Sequence, residues 1–318
     1  MANQIALMEV FRDTQIQIKE NEKLRKETRK IQAGSVLYLD QFYAMNAEPK
    51  YEKPNISVVA DTTFHCAKSL IEEGKKTAVL NFANAYNPGG GVKNGAPAQE
   101  EALCRCSNLY EALTVPYMIR HYYKWNQKNT GDMGSDRIIY SPDITVFKSD
   151  DEIPEMLAEW FRVDVISCAA PYYDSQKEKP VSKEKLEEVF MNRIRNILEV
   201  AIANEVDYFI LGAFGCGAFN NPPQLVAEVF RKLLVDQRYA AYFEKVIFAI
   251  KKTRDVCPNY EAFRTVFEEC NLNVGSKMQE NAVWIIFSRI FFWRTDIDYS
   301  IIWNIRVRKK ECKSCHCL

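Results

Sequence analysis

Residues 87–110 read NPGGGVKNGAPAQEEALCRCSNLY, in which Gly89, Gly90 and Gly91 stand seven residues ahead of Gln99, Glu100 and Glu101. Runs of glycine admit positive φ and let backbone N–H groups point into one concavity, a nest that suits phosphate. A second glycine-rich turn, GAFGCGAFNNPP at 212–223, offers its own amides and the following helix N-terminus as another anion cradle. Either turn alone is explained by a tight strand–helix connection. Two of them at the carboxyl ends of strands say more, because ligands of open α/β sheets bind in that crevice. Neither matches a nucleotide fingerprint. GGGVKNGA lacks the Gly-Lys-Ser/Thr ending of a P-loop, and GCGAFN has Asn220 where a dinucleotide site wants Gly or Ala. A phosphate-bearing ligand fits this pattern, whereas hydride and phosphoryl transfer have no support in it.

Glu100 and Glu101 fall in the first turn of a helix expected over 98–114, where acids complement the dipole in any case. Adjacent helical residues point about 100° apart, so only one of the two is expected to face the glycine loop. A pair of opposed carboxylates is therefore not expected here. One Glu alone could still hydrolyse a glycoside whose leaving group is activated, or whose own phosphates organise the water. Cys216 invites a nucleophile reading, but the chain's histidines, His65, His121 and His316, lie far from it in sequence. Small-residue packing is the expectation for that thiol.

The elements that must position these residues follow from the hydrophobic pattern. Strands are expected at 56–60, 77–83, 137–148, 163–170, 207–214 and 245–250, with helices at 62–73, 98–114, 182–204, 222–242 and 259–269. Strands apolar throughout and separated by helices imply a mixed, mostly parallel sheet covered on both faces. The expected fold class is thus α/β, a three-layer α/β/α domain over residues 51–275. Residues 1–50 are charged and helix-favouring, with a thin apolar stripe, and are expected as a helical extension lying against that domain.

Residues 276–318 carry three of the five tryptophans and no strand–helix alternation, so a boundary is placed near 275 and the tail is expected to be flexible or loosely docked. Cys312, Cys315, His316 and Cys317 are enough soft ligands for zinc in principle, but their spacing matches no closed two-pair module. The apolar segment 283–293 is broken by Arg289 and is shorter than the roughly 20 residues a membrane span requires. Lys plus Arg equals Asp plus Glu at 42 each, so no global field draws the protein to nucleic acid or an anionic membrane. The opening residues lack a signal-peptide pattern. The ten cysteines are then expected as reduced thiols in the cytoplasm or nucleus.

The stretch NFANAYNPGGGVKNGAPAQEEALCRCSNLY closely resembles the signature of the microbial-type poly(ADP-ribose) glycohydrolases, which are macrodomain proteins. YSPDITVFK (140–148), LGAFGCGAFNNPP (211–223) and VIFAI (246–250) resemble further blocks of that family in the same order, so the resemblance spans roughly 55–270. It implies a macrodomain that removes ADP-ribose from poly(ADP-ribose) by cleaving the ribose–ribose O-glycosidic bond, with no metal or cofactor. Carried over by position, Glu101 is the catalytic acid and base and Glu100 holds a neighbouring ribose hydroxyl, while Gln99 shapes the turn. Gly89, Gly90 and Gly91 would approach the distal ribose and diphosphate, with Asn84 and Asn87 offering amide groups. Gly215, Cys216, Gly217 and Ala218 would wrap the other side of the diphosphate, and Phe219 would stack on a ribose or the adenine. Asp61 and Thr63 resemble the adenine-contacting position. Tyr172 departs from the family pattern, which more often has Asn there. Three functions compete: hydrolysis of poly(ADP-ribose), removal of single ADP-ribose units from protein or nucleic acid, and ADP-ribose binding without turnover. The intact Gln-Glu-Glu argues against the last.

Overall fold

The computed structural model describes residues 2–268, apart from 40, 41, 43, 45, 46, 53, 54, 72, 73, 253 and 254. The expectations placed on the tail, its Cys/His group included, lie outside the described residues. Two helices, α1 (Ala2–Glu20) and α2 (Glu22–Gly34), precede strands β1 (Val36–Tyr38) and β2 (Ile56–Val59). After α3 (Thr63–Lys68) come β3 (Thr77–Phe82), α4 (Gln99–Cys106) and α5 (Leu109–Leu113). A short α6 (Pro116–Met118), a π-turn at Ile119–Tyr123 and α7 (Lys124–Asn129) lead to the long strands β4 (Ile138–Lys148) and β5 (Met156–Cys168). Helix α8 (Lys183–Ala203), β6 (Tyr208–Leu211), α9 (Pro223–Arg231) and β7 (Lys245–Ala249) follow, and residues 258–268 are helical.

One seven-stranded sheet has the order β1-β4-β5-β3-β6-β7-β2. The four pairs β5–β3, β3–β6, β6–β7 and β7–β2 are parallel, and β4 runs antiparallel to both of its neighbours. Side chains alternate across a strand, and both faces are covered. Ala78, Leu80, Ile166, Phe209, Leu211 and Phe248 pack with α8 and α9 residues such as Phe190, Ile197, Val226 and Phe230. Val79, Val165, Ile210 and Ile247 pack on the opposite face with Leu103, Leu109, Phe11 and Ile31. That two-sided cover is why the central strands read as continuous apolar runs. It is the expected three-layer α/β/α arrangement with a mostly parallel sheet. None of the described helices is long and apolar enough to cross a membrane.

The thin stripe of the N-terminal segment suffices to dock it. Leu7, Phe11, Thr14 and Ile18 of α1 are buried at spacings of four, three and four, one face of a helix. Gln4 Nε2 donates to Asn94 O at 2.8 Å, Thr14 Oγ1 donates to Arg105 O at 2.5 Å, and the buried Lys148 Nζ donates to Asp13 Oδ2 and Val10 O at 2.6 and 3.1 Å. Thus α1 braces the turn and helix that carry the glycines and acids, and β1 adds an edge strand through Val36↔Tyr140. The helix expected over 98–114 is broken in two. At Ser107 and Asn108 the chain leaves the helix to pair with β4, Asn108 Oδ1 accepting from Thr145 N at 2.9 Å. The long helix expected over 222–242 likewise ends as α at Arg231 and continues through a π-turn, Lys232–Asp236.

Candidate active site

Strands β3 and β6 are neighbours, registered Thr77↔Tyr208, so the glycine turns that leave their carboxyl ends lie side by side. β3 is also where the chain's path divides: β4 and β5 lie to one side, β6 and β7 to the other. That is the crevice in which open α/β sheets take ligands. The head of α4 is fixed there by Gln99. Its Oε1 accepts from Phe82 N at 2.9 Å, and its Nε2 donates to Leu80 O at 2.8 Å and Thr63 Oγ1 at 3.2 Å. The amide side chain thereby continues the β3 ladder and ties α4 to α3.

Between β3 and α4 the chain wraps the helix N-terminus. Asn84 Oδ1 accepts from Tyr86 N and Asn87 N at 2.8 and 2.9 Å, a local Asx turn. Asn84 N donates to Glu100 Oε2 at 2.8 Å, and Gly91 N donates to Glu101 Oε1 at 2.8 Å. The expectation that only one acid would face the loop is therefore corrected. The 100° offset is real, but the loop is curved around the helix end and meets both carboxylates from different sides. Gly90 lies between them at φ 55°, where an added Cβ would stand 3.1 Å from Glu100 Oε2 and inside contact distance of Glu101 Oε1. Gly89, at φ 67°, would set a Cβ 2.8 Å from the Tyr110 ring. The glycine run is needed twice over, for left-handed backbone and for the absence of side chains beside the acids.

Glu100 is 3% and Glu101 7% exposed, and each keeps one buried oxygen, Glu100 Oε1 and Glu101 Oε2, without a hydrogen-bond partner. The Glu100 carboxyl is pushed up to about 8, chiefly by burial and further by the Glu101 charge, against the pull of the Asn84 N–H. The folded protein thus holds a proton that the unfolded chain has already released. The stability linked to Glu100 is complete below the ordinary carboxylate range and is lost as pH rises toward 8. Thermal unfolding followed from about pH 5 to about pH 8 is expected to show a falling Tm in the native chain and a flatter one in Glu100→Gln. Equal slopes in the two would overturn this account.

The second turn is organised by a residue the sequence reading did not single out. Asn221 is 2% exposed, and its Nδ2 donates to Pro171 O, Gly215 O and Phe219 O at 2.7, 2.9 and 3.3 Å. It joins the glycine turn to the Ala170–Pro171 corner, and Gly215, at φ 75°, is packed so closely that an added Cβ would sit 2.5 Å from Ala170 Cβ. Only its place between Asn220 and Pro222 marked Asn221 in sequence. Asn221→Ala removes all three side-chain bonds and leaves Pro171 O without its donor, while Gly215 O and Phe219 O keep the backbone N–H groups of residue 221 and Tyr173; it is expected to cost about 2 kcal/mol, read as a lower urea midpoint. An unchanged midpoint would remove the hub role.

The remaining sites fall as follows. Gly217 and Ala218 are exposed at the turn's tip, and Cys216 is half-buried beneath it. The Cys216 thiol is pushed up to about 12 by burial, which favours the packing reading over the nucleophile. Phe219 is half-buried on the core and meets Tyr172 edge-on at 6.3 Å. Tyr172 N also donates to Asp132 O at 2.7 Å, and Tyr86 OH donates to Gly131 O at 2.6 Å. The 131–136 loop therefore joins the rim. Thr63 is drawn into the α4 head by Gln99, whereas Asp61 Oδ1 is engaged by Thr62 N and His65 Nδ1, both at 2.7 Å. Asn87 is exposed on the first loop. Among the described residues, no group of three or more His, Cys, Asp or Glu side chains could hold a metal ion.

A mixed sheet of this order, with two glycine turns over a pair of buried acids, is the arrangement of a macrodomain. Residues 7–149 match the family described as microbial-type PARG, catalytic domain. Poly(ADP-ribose) glycohydrolase from Thermomonospora curvata superposes with a TM-score of 0.73 at 29% identity, over 82% of this chain and 98% of that one. The Deinococcus radiodurans enzyme, solved in complex with ADP-ribose, gives 0.69 at 32% identity over 76% and 97%. The T. curvata enzyme bound to the inhibitor ADP-HPD gives 0.69 at 30% identity over 81% and 97%. No similar sequence was found among curated proteins. The chain belongs to the microbial-type poly(ADP-ribose) glycohydrolase family and is a glycosidase.

Proposed function

We propose that this chain hydrolyses the ribose–ribose O-glycosidic bonds of poly(ADP-ribose) and releases ADP-ribose, with Glu101 acting alone as acid and then base. The observation that carries the reading is the pair of environments on one carboxyl group. Glu101 Oε1 is held by the Gly91 N–H at 2.8 Å, whereas Oε2 is buried and unpartnered, so Oε2 is the atom free to carry a proton. That proton passes to the departing ribose oxygen as the glycosidic bond breaks, leaving an oxocarbenium-like centre. The resulting carboxylate takes a proton from water as the water oxygen bonds to that centre. Glu100, neutral near pH 7 because burial raises it to about 8, offers Oε1 as a donor to an adjoining ribose hydroxyl. The two glycine turns receive the diphosphate through backbone amides, and Phe219 lies beside the Asn221-held turn to receive a ribose or the adenine.

Relatives solved with ADP-ribose and with ADP-HPD support this substrate class. The test is release of free ADP-ribose from an automodified, poly(ADP-ribosyl)ated protein by the native chain. Release supports the reading. Turnover of mono-ADP-ribosylated protein or nucleic acid alone moves the assignment to the second chemistry, and binding without release of either makes the chain a reader.

A further inference from the structure

Arg105 lies one helical turn beyond Glu101 on α4, the i,i+4 position at which opposite charges on a helix surface commonly pair. It is 3% exposed, and no ion pair between the two is present. Its Nη1 donates instead to Ala96 O at 2.7 Å, and its Nε is buried without a partner. A buried guanidinium without an ion pair costs several kcal/mol, and burial accordingly lowers its pKa while the nearby Glu101 and cysteine side chains oppose that. Ala96 closes the same turn that holds the acid. Its N donates to Gly91 O at 3.2 Å, and an added Cβ on Gly91 would stand 2.9 Å from Ala96 Cβ. The Gly91 N–H in turn bonds Glu101 Oε1. From below, Thr14 Oγ1 holds the Arg105 carbonyl at 2.5 Å, fixing this stretch of α4 against α1.

We infer that Arg105 is a positioning residue of the glycohydrolase: through Ala96 it keeps the Gly91–Ala96 turn closed on Glu101. This rests on the reading of Glu101 as acid and base, and it goes beyond that reading by assigning the residue that keeps Glu101 Oε1 occupied and Oε2 free. Arg105 touches no substrate in this account. Its loss should therefore lower kcat and spare binding.

The test compares Arg105→Met and Arg105→Lys with the native chain, each also in a Glu101→Gln background. Release from poly(ADP-ribosyl)ated protein supplies kcat and KM, and titration with ADP-ribose supplies Kd. Arg105→Met is expected to lower kcat at least tenfold, with KM and the ADP-ribose Kd within threefold of native. Arg105→Lys, which restores a cation of shorter reach without the planar fork, is expected to recover part of kcat. In the Glu101→Gln background, Arg105→Met is expected to change residual release by less than twofold, because it acts through the residue already removed. A kcat within twofold of native for Arg105→Met overturns the inference. So does a loss of ADP-ribose binding in both Arg105 variants, which would make the role structural. Should Glu101→Gln itself retain activity, the failure lies with the catalytic reading and is recognised by that arm alone.

Discussion

Glu101→Gln is expected to lower kcat for ADP-ribose release by about 10²–10⁴-fold, the usual worth of a positioned acid and base. The amide matches the carboxyl in shape, so its carbonyl oxygen can still accept from Gly91 N–H, while Oε2 becomes an NH₂ that neither yields a proton to the leaving oxygen nor takes one from water. Because the Gly91 bond and the glycine loop are retained, binding of ADP-ribose should change little. Calorimetric titration and release from poly(ADP-ribosyl)ated protein measure the two halves separately. Retained release would end the single-glutamate mechanism, and joint loss of binding and release would show that Glu101 serves the loop more than the chemistry.

Gly90→Ala is expected to be as damaging to turnover by a different route. At φ 55° an L side chain is strained, by roughly 1–2 kcal/mol. The new methyl would also press on Glu101 Oε1 and approach Glu100 Oε2. One of the acids, or the loop, must then shift, and both turnover and ADP-ribose affinity should fall together with Tm. Gly217→Ala is the matched control, since nothing lies within 4 Å of its added Cβ. It should leave Tm near native. Equal behaviour of the two variants would refute the argument from close approach.

Much of this was legible in the chain because both faces of the central strands are buried, which makes the strands conspicuous. The two glycine turns were legible for the same reason, each following a strong apolar run. Their adjacency was not, since it depends on β6 pairing with β3 across more than a hundred residues. Nor was the convergence of Glu100 and Glu101, which is set by the curvature of the Asn84–Gly91 loop and not by helical geometry. Residues 156–162 were missed as strand because half-buried Leu157, Trp160 and Phe161 are interspersed there with exposed residues, leaving neither an apolar run nor a clean alternation. Residues 116–129 gave no clean 3.6-residue period because a π-turn interrupts the helix there. Asn221 and Arg105 were invisible for a shared reason: each acts by satisfying backbone carbonyls brought near by the tertiary fold.

One edge of the sheet pairs an early strand with the last, β2 on β7, through Ile56↔Val246 and Val59↔Ala249. β2 has no other sheet neighbour, so during synthesis it waits for nearly two hundred residues before it can pair. Its carboxyl end leads into Thr63, whose hydroxyl receives Gln99 at the head of α4. The acids are translated early and seated late. A nascent chain stopped short of residue 245 would already carry the complete Gln-Glu-Glu segment while β2 still lacked its sheet partner.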